Sequence, residues 1–199
     1  MIKKLTTIFL AFFSIILISG CNSPAHKNSL SPEEQADLIK KGKEIAAHSF
    51  KALSGELMKA LQENDVQYAV SYCHLQASPL IDSLSIVYKA KINRVSDKYR
   101  NPSNKPGDLD LTVLESYLKQ HKEGQNLQPH LEITSNEVVF YSPILVQNPV
   151  CLLCHGEPGE TMEQENFDFI NSTYPGDMAT GYKLGDFRGL WKIVFNSNI

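Results

Sequence analysis

The pentad CLLCH at residues 151–155 constrains this chain more than any other stretch. It places two thiols and an imidazole at the spacing C-x-x-C-H, which is the attachment signature of c-type haem. Cys151 and Cys154 can reach the two vinyl groups of one porphyrin and form thioethers, and His155 is then placed to bind iron from the same side. Gly156 follows, and we expect its missing Cβ to let the chain turn away from the porphyrin face. The pentad therefore predicts one covalent haem c.

Other kinds of site also use these residue types. A zinc ion would take the thiolates of Cys151 and Cys154, with Cys73 and His155 as further ligands. A thiol–disulfide active site would use the two cysteines of the pentad alone, but the surrounding sequence lacks the βαβ pattern typical of such sites. A structural disulfide would need no histidine. The C-x-x-C-H spacing favours haem over these alternatives.

The N-terminus has the layout of a bacterial export signal. Lys3 and Lys4 precede an uncharged apolar run that is short for a membrane span. The run ends at ISGC, which resembles the lipobox of bacterial lipoproteins, in which the cysteine receives a diacylglyceryl group. We therefore expect residues 1–20 to be a lipoprotein signal peptide, Cys21 to be lipidated and residues 21–32 to form a polar tether. These features predict a location in the bacterial cell envelope, on a membrane and facing the periplasm or the exterior.

The cysteine count suggests a second ligand for the iron. The chain has four cysteines, and with Cys21 assigned to lipid the remaining three cannot all form internal disulfides. This imbalance disappears if Cys151 and Cys154 carry the haem and Cys73 faces it.

Cys73 lies on the apolar face of a predicted amphipathic helix. Val66, Ala69, Val70 and Ala77 recur around it at helical spacing, so its side chain should point inward. The ordinary role of a cysteine there is that of a small buried hydrophobe. In an exported chain a free thiol is uncommon, however, and an iron bound by one histidine needs a second axial ligand. The other candidates for that position are Met58, Met162, Met178, His26, His48, His74, His121 and His130.

The order of predicted elements is helices first and short strands afterwards. Ser31 should cap a helix running to about Glu63, and Asp65 should cap a second helix that Pro79 kinks or ends. The later elements are a strand in AKINRVSDKY, a third helix closed by Gly124, a hairpin about TSNE, a short helix in TMEQENFDFINSTYP, and two strands turning at GD near the C-terminus. This order argues for an α+β domain with an antiparallel sheet.

Several segments outside the pentad also fall in a defined order. They are AVSYCHLQASPLI around Cys73, RVSDKYRNPSNKP, YPGDMATGY and GDFRGLWKI. Together with CLLCHG, they resemble the Tll0287-like family, also called DUF3365, over about residues 33–197. The resemblance implies a single domain at 33–199, with N-terminal helices packed on a PAS-like antiparallel sheet and one covalent c-type haem. It also implies that the iron is bound by His155 and Cys73.

The resemblance leaves two points open. Haem propionates need cationic partners or water, and Arg94, Lys98, Arg100 and Arg188 are all candidates. Many relatives carry this domain as the sensing part of a membrane receptor with a kinase or cyclase behind it. Here the chain ends at Ile199, just past the domain, so we expect any output to come from a partner protein.

These features predict a membrane-tethered monohaem c-type cytochrome-like protein that exchanges single electrons with a redox partner. The thiolate ligand favours a low reduction potential, and two filled axial positions leave no open site, so we expect no enzymatic activity. The alternative is a haem-based redox or gas sensor, in which Cys73 leaves the iron and a partner protein supplies the output. A formal net charge of −3 and the absence of a basic patch in the sequence argue against nucleic-acid binding.

Overall fold

The computed structural model describes residues 30–135 and 137–195. The predicted signal peptide, Cys21 and nearly all of the tether therefore lie outside the described residues. Within the described ranges, no helix combines the length and the apolar character that crossing a membrane requires.

Two long helices precede a sheet whose strands are separated by shorter helices. In chain order the elements are α1 (Pro32–Glu63), α2 (Val66–Tyr88), β1 (Ala90–Val95), α3 (Asp108–Lys122), β2 (His130–Ile133), β3 (Val138–Leu145), α4 (Leu152–His155), α5 (Gln164–Thr173) and β4 (Phe187–Phe195). Single 3-10 turns lie at Pro102–Asn104 and Pro149–Cys151. The predicted α+β class, with N-terminal helices on an antiparallel sheet, is confirmed.

The first two helices begin where their capping residues predict. The Ser31 hydroxyl accepts a hydrogen bond from the Glu34 amide at 3.2 Å, and the Glu34 carboxylate accepts one from the Ser31 amide at 2.7 Å. Asp65 caps α2 by accepting from the Tyr68 amide at 2.7 Å. Pro79 does not end α2, which continues to Tyr88. Proline removes one main-chain donor, and the turns that follow it are stabilised because Ile81 is buried against the sheet.

The sheet has the strand order β1-β4-β3-β2, and every neighbouring pair is antiparallel. Helices α1 and α2 cover one face, here called the α1–α2 face, with a core that includes Ile45, Ile92, Phe140 and Trp191. Helix α3 covers the opposite α3 face. Gly42 lets α1 lie directly on the sheet, because a Cβ at that position would overlap the Phe140 ring.

One predicted strand is wrong. Residues before the GD turn do not pair with a strand, and only β4 follows the turn. The Tyr182 amide instead donates to the carbonyl of His155 at 2.9 Å, and the Gly185 amide donates to the carbonyl of Val146 at 2.8 Å. Gly185 adopts a φ of 91°, which makes the turn into β4 tight. The segment is therefore fastened to the pentad rather than to a sheet edge.

Candidate functional site

The predicted site residues meet at one cavity of about 300 Å³. It lies under α1 and α2, at the edge of the sheet where β1 and β3 end and β4 begins. Cys73 reaches it from α2, and Cys151, Cys154 and His155 reach it from the pentad. The apolar part of its wall consists of Phe50, Leu53, Leu57, Leu61, Ala69, Val70, Ala77, Ile144, Trp191 and their neighbours. A mostly apolar cavity with a few converging polar groups is the usual form of a cofactor site.

The pentad is helical, which brings its reactive side chains onto one side. The Asn148 side chain accepts a hydrogen bond from the Val150 amide at 3.0 Å and so starts the 3-10 turn that leads into α4. In helical backbone, positions three and four apart are neighbours, so Cys154 and His155 both follow Cys151 on the same surface. The spacing C-x-x-C-H thus becomes a cluster of two thiols and one imidazole facing the cavity.

The His155 ring is oriented by a hydrogen bond and by an edge contact with the Tyr182 ring. Its Nδ1 lies 2.7 Å from the carbonyl oxygen of Ala179. A carbonyl only accepts, so Nδ1 carries the proton and the lone pair of Nε2 is left for another partner. Burial, followed by the charges of Arg188 and Arg100, lowers the pKa of His155 well below its ordinary value. The imidazole is therefore neutral at physiological pH, which is the form that binds a metal.

The loop that supplies the Ala179 carbonyl is held by a buried ion pair. Arg100 donates to the Asp177 carboxylate at 3.0 Å and to the carbonyl of Cys154 at 2.6 Å. Asp177, whose side chain is fully buried, in turn accepts from the Ala179 amide at 2.8 Å. The segments RNPSNKP and YPGDMATGY, which in the sequence carry only the family resemblance, thereby position His155. This role depends on a contact between residues that are 77 positions apart in the chain, so no short stretch of the sequence could indicate it.

Gly156 is required for a different reason from the one the sequence suggested. Its φ is −73° with extended backbone, which any residue adopts. A Cβ at this position would instead overlap the Thr161 hydroxyl and approach the carbonyl oxygen of Leu152 at 2.6 Å. Thr161 accepts a hydrogen bond from the Glu157 amide at 2.9 Å. The glycine therefore permits close packing of the loop that follows the pentad.

Cys73 is partly buried at the cavity wall. Burial raises the pKa of its thiol, and the nearby charges of Arg94 and Arg100 oppose that shift. Burial also raises the pKa of Cys154, to about 11. Both thiols are thus neutral without a further cation, and a thiolate at either position needs a positive partner.

Comparisons with known proteins identify the family and the fold of this chain. The family model described as Tll0287-like matches residues 29–196 of the chain. The chain belongs to the Tll0287-like family. Among solved structures it is similar to the crystal structure of the cyanobacterial heme-protein Tll0287, with a TM-score of 0.58 and 22% sequence identity over 84% of this chain and 98% of that chain. At this identity the likeness shows a shared fold. A search of curated proteins finds no match.

Within this Tll0287-like domain, the other candidates for an axial ligand lie elsewhere. Of the histidines and methionines in residues 30–135 and 137–195, only His155 lines the cavity. Met162 is fully buried in a cluster beside α5 and does not line the cavity. His74 is exposed, with its ring 4.8 Å from that of Tyr174. His26 lies outside the described residues. In the described ranges, no group of three His, Cys, Asp or Glu side chains is close enough to bind a metal ion by itself.

The same cavity is also lined by three arginines, Arg94, Arg100 and Arg188. Arg100 is bound to Asp177. Lys98, the fourth cation that the sequence offered, donates to the carbonyl of Thr180 and lies over the Tyr182 ring. The cavity is therefore apolar on its helical wall and positively charged near the sheet.

Proposed function

We propose that this chain is a membrane-tethered monohaem c-type cytochrome-like protein that transfers one electron at a time. One observation carries the proposal. The two thiols of the pentad, the His155 ring with a free Nε2 and the Cys73 thiol line the same apolar cavity. A similar solved protein is the cyanobacterial heme-protein Tll0287. When bound, a haem would supply reversible one-electron chemistry at its iron.

Each residue of the site has a defined role in this proposal. Cys151 and Cys154 would form the thioethers, His155 would bind the iron through Nε2, and Cys73 would be the second axial ligand. The hydrogen bond from His155 Nδ1 to the Ala179 carbonyl, at 2.7 Å, fixes the ring orientation and makes the imidazole a better donor.

The surroundings of Cys73 favour a thiolate once a metal cation is present. Arg94 and Arg100 stabilise its negative charge, and the apolar wall keeps water away from it. A thiolate ligand favours the ferric state and therefore a low reduction potential. If His155 and Cys73 both held the iron, no coordination position would be left open for a substrate, which argues against an enzymatic function.

We further propose that lipidation at Cys21 attaches the domain to a membrane of the bacterial cell envelope, facing the periplasm or the exterior. The support is the sequence of residues 1–21. Helix α1 begins at Pro32, so a tether of residues 21–31 would separate the lipid from the folded domain. A Cys21→Ala variant should be released from the membrane fraction. Equal retention of the variant and the wild-type protein would contradict this part of the proposal.

The decisive test is spectroscopic. Protein produced with the c-type maturation machinery should give the pyridine haemochrome spectrum of a haem with two thioethers, and a Cys151→Ala, Cys154→Ala variant should not. Cys73→Ala should lose the low-spin thiolate features of the ferric spectrum. His74→Ala is the matched control, because His74 is the next residue of α2 and is exposed. The absence of covalent haem in the wild-type protein, or an unchanged spectrum in Cys73→Ala, would contradict the assignment.

A haem-based redox or gas sensor acting through a partner protein is the second candidate. Cys73 lines both the cavity and an outer groove between α1 and α2 that also contains Pro79. Because Pro79 removes one main-chain hydrogen bond from α2, the helix can bend near the ligand. Rapid binding of CO to the reduced protein, with loss of the thiolate features, would favour the sensor. Inertness towards CO together with reversible voltammetry would favour the electron carrier.

A further inference from the structure

Two of the three arginines at the cavity have no anionic partner within the part of the chain that the structure describes. Arg100 does have one, because it is bound to the buried Asp177 carboxylate at 3.0 Å. Arg94 and Arg188 line the same cavity and form no ion pair with any residue in 30–135 or 137–195. Burying a guanidinium group without an anion costs free energy. The two charges therefore indicate that the cavity binds an anionic ligand.

Arg94 reaches this position through the alternation of β1. Ala90 and Ile92 are buried on the α1–α2 face, and Arg94 follows them at the same period of two. Its guanidinium makes no hydrogen bond to any described residue. Burial, and after it the charge of Arg188, lowers the pKa of Arg94. Two like charges therefore lie near each other at the end of an apolar strand face.

Arg188 is held on one side and open on the other. Its Nη1 donates to the Ser96 hydroxyl at 2.9 Å and to the carbonyl of Lys98 at 3.1 Å, and its guanidinium lies 5.2 Å from the centre of the Tyr182 ring. Its Nε is buried and has no acceptor among the described residues. Buried donors are almost always satisfied, so this N–H indicates an acceptor that belongs to a bound ligand.

We propose that Arg94 and Arg188 bind the two propionate carboxylates of the porphyrin. This inference rests on the proposed function and adds a specificity for dicarboxylate porphyrins. Guanidinium groups match carboxylates in both charge and hydrogen-bond geometry. Arg100 and Lys98 are already bound to Asp177 and Thr180, so of the four cations that the sequence offered, these two remain.

The test uses the apo form of the mature chain with its cysteines reduced. It is titrated with iron(III) mesoporphyrin IX and with the dimethyl ester of the same porphyrin. Mesoporphyrin has no vinyl groups, so both bind without thioethers and differ only in the carboxylates. Wild-type protein should bind the diacid at least about tenfold more tightly, because only the diacid can accept charge-assisted hydrogen bonds from the two guanidinium groups. An Arg94→Met, Arg188→Met variant should bind the two porphyrins equally.

Lys91→Met is the matched control, because Lys91 lies on the same strand, is exposed and lies outside the cavity wall. It should discriminate between diacid and ester as the wild type does. The inference is overturned if wild-type protein binds both porphyrins equally, or if the double arginine variant still prefers the diacid. Failure of the wild-type protein to bind either porphyrin would count against the proposed function as well, which separates the two results. Circular dichroism of the apo variant checks that the fold is retained.

Discussion

Two groups of buried charge lie on opposite faces of the same sheet and are built differently. On the α3 face, the Asp110 carboxylate accepts hydrogen bonds from Lys192 at 2.8 Å and from the Tyr141 hydroxyl at 2.5 Å. On the α1–α2 face, Arg94 and Arg188 line a cavity without a carboxylate partner among the described residues. The charges of the first group are paired within the fold, whereas the two arginine charges of the second group are not.

The difference indicates that the charges on the α3 face stabilise the fold, whereas those on the α1–α2 face bind a ligand. A buried polar group whose donors and acceptors are all satisfied stabilises one arrangement of the fold and needs nothing further. A group with unused donors beside a cavity is stabilised only when a ligand supplies the acceptors. The α3 face should therefore respond to mutation in the same way with and without haem, while the α1–α2 face should respond differently in the two states.

The largest expected effect on stability follows from removing the Asp110 carboxylate, which both Lys192 and Tyr141 contact. Asp110→Ala leaves the Lys192 ammonium and the Tyr141 hydroxyl without their shared acceptor, so we expect a loss of about 3–5 kcal/mol in the free energy of unfolding. Urea denaturation of apo and haem-loaded protein measures it. Asp108→Ala is the control, because Asp108 is exposed in the same first turn of α3. A loss that appears only in the haem-loaded protein would contradict the structural assignment.

Part of this stability should depend on pH. Burial alone would raise the pKa of Asp110, but the hydrogen bonds from Lys192 and Tyr141 outweigh it and lower the pKa. A carboxylate with a lowered folded-state pKa contributes stability above its unfolded pKa of about 3.9, and this contribution is lost as pH falls through the folded value. Asp110→Asn should therefore differ most from wild type near neutral pH and least in strong acid. A difference that does not change with pH would exclude the linkage.

A smaller loss is expected from the arginine that does have a partner. Asp177→Asn keeps the size of the side chain but removes the charge that binds Arg100, so we expect about 2 kcal/mol of destabilisation. Because Asp177 also orients the loop that carries the Ala179 carbonyl, the ferric spectrum should change as well. Asp168→Asn, on the exposed side of α5, is the control. An unchanged spectrum would show that the loop holds His155 without Asp177.

The parts of the site that are local in sequence were predictable. The C-x-x-C-H spacing marks Cys151, Cys154 and His155, and the helical period places Cys73 on the apolar face of α2. The structure brings these four to one cavity because α4 packs against α2 beside that cavity. The N-caps of α1 and α2 also followed from single residues, since a cap depends on neighbours in the chain.

The parts that depend on distant contacts were not predictable. The sequence contains four candidate cations for the propionates. It does not indicate that Asp177 binds Arg100, because the two residues are 77 positions apart in the chain. The same reason explains the wrong strand before Gly185, because that segment is bonded to the pentad and to Val146. One signal was present but unused: Arg94 continues the buried alternation of β1, which places a charge on the side that should be apolar.

The smallest expected effect tests whether an unsatisfied atom alone indicates a binding site. The Ser49 hydroxyl on α1 is buried without a partner among the described residues, as Arg188 Nε is, but Ser49 does not line the cavity. Ser49→Ala should therefore be neutral or stabilising, by up to about 1 kcal/mol, and equally so in apo and haem-loaded protein. Thermal denaturation of both forms measures this. A clear destabilisation would mean that the hydroxyl binds an internal water molecule, whereas an effect confined to the haem-loaded form would extend the ligand site to α1.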